Sequence, residues 1–185
     1  MVSSSFSSTS VYPASLVHPS QHSPVLLQLV GVEPSIQLTE YVVNSVADIV
    51  DYSMGRPPQG ISSRRPELID FTTFVTTVLA RARVTTPVVL VSLVYIFRAK
   101  PHIQIVHEEW ALERAFLGAL IIASKYLNDC TLKNVHWAMC TGVFGKLDVG
   151  RIEREFLDVL NWELSVSEDD ILSHHAGILA LARVR

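Results

Sequence analysis

Residues Ala115–Asp129 read AFLGALIIASKYLND. From Ala115 to Ser124 there is no charge, and then Lys125 arrives beside Tyr126 and Leu127. Ten uncharged residues fall well short of the roughly 18 that a membrane span requires. A helix that is apolar nearly all round is instead the centre of a domain, with other helices packed about it. The helix is expected to run from about Glu108 to Asn128. Acids at its start and Lys125 near its end suit the helix dipole.

The flanking segments are helical as well. In LTEYVVNSVADIVDYSM, Val42, Val46, Ile49 and Val50 recur at helical spacing, and Thr39 is the expected N-cap. GRPPQGISSRRP is a loop by composition. ELIDFTTFVTTVLARAR gathers Leu68, Phe71, Val75, Val78 and Leu79 on one side. VTTPVVLVSLVYIFRAKP is rich in β-branched residues, yet its Thr-Pro start and its Arg98/Lys100 end favour a helix, with Thr86 as N-cap and Pro87 at the first helical position. LKNVHWAMCTGVFG is a short helix ended by Gly142 and Gly145. Asp148 is the expected N-cap of the next, LDVGRIEREFLDVLNWEL. Ser167 with Asp170 forms a capping box for the last, SVSEDDILSHHAGILALARVR. About seven helices and no convincing strand make an all-α domain. Residues 1–37, Ser-rich and Pro-containing, read as a flexible tail, 38–66 as a helix and loop, 67–164 as the main domain, and 165–185 as a C-terminal helix.

Composition restricts function. Of 185 residues, 49% are hydrophobic and 18% charged, which is enough apolar content for a real core. The net charge of −3 offers no basic footprint for nucleic acid. Two cysteines, Cys130 and Cys140, are too few for a disulfide scaffold and read as reduced thiols of an intracellular protein, in nucleus or cytoplasm. The N-terminus has no basic segment followed by a long apolar block, so no secretion signal is expected.

No catalytic, cofactor or metal motif emerges. His107-Glu108-Glu109 opens like a zinc-protease motif, but the second histidine position is Ala111. Cys130, His136 and Cys140 match no common zinc spacing and lack a fourth ligand. His174 and His175 are consecutive, cannot share one helical face, and read as surface or boundary residues.

Two charges stand inside apolar stripes. At about 100° per residue, Val149, Phe156, Leu157 and Leu160 fall within about 60° of Glu153. Arg151, Arg154, Glu155 and Asp158 gather opposite. Lys125 shares its stripe with Ile121, Gly118 and, further back, Arg114. Such charges cost free energy unless they are solvated or paired. Three outcomes are compatible with the pattern: both reach water at the stripe's edge, they pair internally, or they line a surface that meets a partner.

In combination, SLVYIFRAK, ALERAFLGALIIASKYLND, NVHWA and VGRIEREFLDVLNWEL resemble a cyclin box, most of all that of the fungal PHO/PCL-type cyclins. The resemblance spans roughly Glu67 to Leu172. It implies a five-helix fold built around its third helix, here with additional N- and C-terminal helices. It also implies a non-enzymatic regulatory subunit that forms a heterodimer with the cyclin-dependent kinase of phosphate and nutrient signalling and holds the kinase's regulatory helix in the active position. Family members use a lysine at the end of the third helix and a glutamate in the fifth to hydrogen-bond backbone groups near that kinase helix. The matching residues are Lys125 and Glu153, so the resemblance selects the third outcome. Leu93, Phe97, Tyr126 and Leu127 are candidates for the surrounding apolar contact, Leu93 and Leu127 being the better suited to ordinary core, and Asp129 for a kinase arginine. Trp137 and Trp162 are expected in the core or at its margin. A second cyclin box is absent, and FTTFVTTVLAR does not match the substrate-docking pattern of other cyclins. The alternative, a cyclin-fold module of transcription-factor type, would need a basic face.

Overall fold

The computed structural model describes residues 21, 23–31, 35–57, 66–107 and 109–183, with side chains to 180. Among them are nine helices and no strand: α1 (Pro24–Val30), α2 (Ile36–Ser53), α3 (Pro66–Arg81), α4 (Thr86–Ala99), α5 (Ala111–Leu127), α6 (Asn134–Thr141), α7 (Lys146–Val159), α8 (Glu168–Leu172) and α9 (His175–Arg183). The all-α class holds.

The uncharged run is the hub. Every residue from Ala115 to Ser124 is buried. Around α5 pack α2, α3, α4 and α7. The most extensive of these contacts is with α4, itself buried from Val88 to Ile96. No strand forms from the valines of α4 because all its faces are covered by other helices; tertiary burial outweighs their weak strand preference. On α3, Phe71, Val75, Val78 and Leu79 are buried as their spacing predicts. An aromatic group of Phe71, Phe74, Phe116 and Phe144 joins α3 to α5 and to the α6–α7 turn, mostly through edge-on contacts.

The helix ends depart from several sequence expectations. Ser35, not Thr39, caps α2, its hydroxyl accepting from the Leu38 N–H at 3.2 Å; Thr39 bonds back to the Ser35 carbonyl. The helix begins at Ile36, an exposed residue ahead of the apolar period, because Ser35 supplies the cap. Thr85 rather than Thr86 precedes α4, which places Pro87 second. At α5, Trp110 stands just before the helix in the left-handed region at φ 59°, so α5 starts at Ala111; Glu108 lies outside the described residues. Asp148 is inside α7, and its carboxylate accepts from the Gly145 N–H at 3.1 Å. Gly142 ends α6 at φ 71°, where a Cβ would be strained.

The terminal segments differ most. Within the stretch read as a tail, α1 forms, and the Ser23 hydroxyl accepts from the Leu26 N–H. Residues 1–20 and most of the 55–66 loop lie outside the described residues. The expected single C-terminal helix is two, α8 and α9, divided at Ser173–His174. The Ser167–Asp170 capping box is present in both directions, at 3.1 and 2.8 Å.

His174 is buried, contrary to the surface expectation. Its Nδ1 is 3.3 Å from the Tyr41 hydroxyl, and its ring stands edge-on to Phe97 with centroids 4.7 Å apart. Burial lowers its pKa below the ordinary histidine value, and the Asp170 carboxylate opposes that shift. Trp137 fills the core as expected, whereas Trp162, at φ 59° in the turn after α7, is 65% exposed. At about 100° per residue, position 162 falls opposite Glu153 and its apolar stripe, in line with that exposure.

Candidate functional site: a charged ring at the α5–α6–α7 junction

α5 and α7 pack against each other, and Gly118 lies tight against Phe156. That approach brings the last turn of α5 to the middle of α7. Lys125 and Glu153, 28 residues apart in sequence, meet there with Nζ to Oε1 at 2.6 Å. The pair is neither fully buried nor loose on the surface: the lysine side chain is 34% exposed and the glutamate 16%. The sequence pattern left solvation, internal pairing and a partner-facing role open; the two do pair, at the rim.

A third residue, Asn134, completes the arrangement; nothing in the helical spacing marks it. Asn134, the first residue of α6, accepts from Lys125 Nζ through Oδ1 at 3.0 Å. Its Nδ2 donates to Glu153 Oε2, also at 3.0 Å. Lysine, asparagine and glutamate thus form a closed ring of three hydrogen bonds, two of them charge-assisted through the ammonium and one through the carboxylate. Both carboxylate oxygens are engaged, one by each partner. The ring uses two of the three ammonium donors and one lone pair on each carboxylate oxygen.

The other charged member of the α5 stripe behaves differently. Arg114 is tied back to its own chain, donating to the carbonyls of Trp110 and His107 at 3.4 and 2.9 Å. It lines a cleft of about 340 Å³ floored by Ile103, Ala115, Ile152 and Phe156. The polar face of α7, Arg151, Arg154, Glu155 and Asp158, is exposed as its spacing predicts.

Of the apolar candidates, Tyr126 is half exposed, its ring edge-on to Tyr95 with centroids 6.4 Å apart. Tyr95 is fully buried and donates its hydroxyl to the Leu164 carbonyl at 2.8 Å; burial, with Tyr126 beside it, pushes its phenol pKa up. Leu93 is core, but Leu127 is 42% exposed and belongs to the surface. Val135 and Met139 of α6 are exposed apolar side chains as well. Phe97 is 44% exposed but packs on His174 among Tyr41, Arg98 and Asp170, so the structure does not draw it into the ring. Asp129 is exposed in the turn after α5.

Cys130, His136 and Cys140 do not converge: among the described residues no three histidine, cysteine, aspartate or glutamate side chains are placed to hold a metal ion. Cys130 is exposed and Cys140 buried, its thiol pKa raised by that burial. Among the described residues, no helix is long and apolar enough to cross a membrane.

An all-α domain whose central helix is uncharged from Ala115 to Ser124, and in which a lysine of that helix pairs with a glutamate of its neighbour, matches known proteins over most of its length. A family profile described as "Cyclin, N-terminal domain" matches residues 43–165, beginning inside α2, ahead of the Glu67 boundary expected from sequence. The chain belongs to the cyclin family. It is 30% identical over 142 residues to PHO85 cyclin-2 of Saccharomyces cerevisiae, an alignment covering 75% of this chain and 45% of that protein. It is 31% identical over 150 residues to PHO85 cyclin-9 of the same yeast, covering 80% and 48%. With PHO85 cyclin-1 the identity is 32% over 124 residues, covering 64% and 42%. The chain therefore spans under half the length of these relatives.

Proposed function

We propose that this chain is the regulatory subunit of a cyclin-dependent protein kinase, which it binds and activates by holding the kinase's regulatory helix in the active position. The observation that carries the proposal is the Lys125–Glu153 pair, held at 2.6 Å on the rim between α5 and α7 with both groups partly open to solvent. The names of the relatives point to a kinase of the PHO85 kind as partner.

The mechanism follows from what active kinases need. Their internal Lys–Glu ion pair forms only when the regulatory helix sits inward. A partner that binds the inward state preferentially shifts the population toward it by its differential affinity. This chain would contribute no catalytic group. Lys125 would donate to backbone carbonyls of the kinase and Glu153 would accept from its N–H groups. Tyr126 would give apolar contact beside them, Phe97 would add a contact apart from the ring, and Asp129 would face a kinase arginine. Tightly bound complexes concentrate their energy in a few buried anchors of this kind. The transcription-factor alternative has less support, since a net charge of −3 gives little attraction for phosphate backbones.

The test is reconstitution. Purified PHO85 is mixed with this chain, and binding and phosphoryl transfer to a protein substrate are measured. The wild-type chain is expected to bind and activate. Replacing both Lys125 and Glu153 with alanine is expected to weaken binding while the free chain keeps its helical spectrum and melting temperature. Equal binding and activation by the doubly substituted chain would overturn the assignment of the site.

A further inference from the structure

We propose that Asn134 is a positioning residue of the partner-binding surface, holding the Lys125 ammonium and the Glu153 carboxylate at a fixed separation for the kinase; this rests on the function proposed above. Three observations support it. The amide uses both of its ends on the pair, accepting from one charge and donating to the other, each at 3.0 Å. An asparagine at a helix start is ordinarily spent on capping the backbone. In α6 the residue before the helix is Lys133, no side chain caps the helix, and the Asn134 amide goes to the ring instead. On α7 the amide lies against Gly150, where a Cβ would stand at an ordinary contact distance of 3.4 Å from Asn134 Nδ2.

A lysine near the end of a helix has many rotamers, and freezing them on binding costs affinity. The ring freezes them beforehand. Without Asn134 the ammonium can still reach Glu153, but the carboxylate is free to rotate and offer either oxygen, so the geometry presented to the kinase is no longer single. Asn134 thus acts through Lys125 and Glu153, which distinguishes it from a residue that merely ties α6 to α7.

The experiment is a double-mutant cycle with purified PHO85 as the probe, on Asn134→Ala, Lys125→Ala and the two combined. Dissociation constants are measured for each, with melting temperatures of the free chains. Alone, Asn134→Ala is expected to weaken binding by about fivefold, in the range of one lost preorganised side chain, with the melting temperature nearly unchanged. In the Lys125→Ala background the same substitution is expected to add less than about twofold, because coupled residues are non-additive. A second readout needs no kinase: the Lys125 ammonium resonance should exchange slowly with water in the wild-type chain and rapidly in Asn134→Ala. Unchanged binding by Asn134→Ala, or an equal loss in both backgrounds, would overturn the positioning role. If Lys125→Ala alone leaves binding intact, the partner-site reading itself fails and the positioning role fails with it. That arm leaves Asn134 in place, so the two failures are told apart.

Discussion

A Cβ built on Gly118 would lie 2.8 Å from the Phe156 side chain, closer than real side chains approach. Glycine in the middle of a helix is costly, by up to about 1 kcal/mol relative to alanine. Here it lets α7 settle against the hub. Gly118→Ala is therefore expected to destabilise the fold by about 1–3 kcal/mol, the range for overpacked cores, despite alanine's better helix propensity. Urea unfolding checks this. Pairing it with Phe156→Leu should recover part of the loss, because the smaller side chain yields the space.

The Lys125–Glu153 pair contributes little to stability. Partly exposed ion pairs are worth about 0.2–1 kcal/mol, and Asn134 still bonds whichever charge remains. Single alanine replacements at Lys125 or Glu153 should change the unfolding free energy by less than about 1 kcal/mol. Chemical denaturation should show midpoints near wild type, and a collapse of the fold on either change would make the pair a structural element.

The Tyr95 hydroxyl reaches the Leu164 carbonyl from a fully buried position. Beside it, Arg98 donates to the carbonyls of Glu163 and Ser165 at 2.6 and 3.0 Å. Together they fasten the segment after α7 to α4. Tyr95→Phe should cost about 1 kcal/mol and leave one carbonyl unpaired. The loss should be local, and hydrogen exchange should accelerate in α8 and α9 before it does in α5.

His174 gives the fold a pH dependence. Its pKa is lowered from 6.5 by burial, so the folded chain resists the proton that the unfolded chain accepts. Its contribution is intact above about pH 6.5 and is lost as pH falls below that value toward the lower, folded pKa. Asp170 opposes the shift, so Asp170→Asn should steepen the loss, even though it also weakens the side-chain half of the capping box. His174→Phe should flatten the acid side of the stability curve between about pH 5 and 6.5, the range of histidine titration. Melting temperatures across that range decide the matter.

How far sequence alone reached depended on the kind of signal. The hub was legible because ten uncharged residues leave a helix no wet face, and Lys125 and Glu153 stood out because charges interrupt apolar stripes. Their meeting is one of three outcomes the pattern leaves open, since pairing across helices depends on the α5–α7 packing in which Gly118 lies against Phe156. Asn134 carries no charge and starts a helix, where asparagine is unremarkable; only the three-dimensional ring reveals its use. α1 was missed because a Ser-rich composition masked Ser23-Pro24 followed by Val25, Leu26 and Leu27, a cap and first-turn proline before an apolar run. The expectation for Trp162 rests on side-chain size, which suggests burial, whereas the helical period places position 162 opposite the apolar stripe of α7, and the indole is exposed.

The uncharged run of α5 has one more consequence. From Ala115 to Ser124 the hub carries only Ser124 as a polar side chain, so shape alone sets its axial position among its neighbours. One residue's rise along a helix is about 1.5 Å, and a slip of that size would part Lys125 from Glu153 and Asn134. The ring is thus a gauge: misfit anywhere along the core would be read out at its surface as a broken contact, and a partner that grips only the closed ring would reject a chain whose interior is badly assembled.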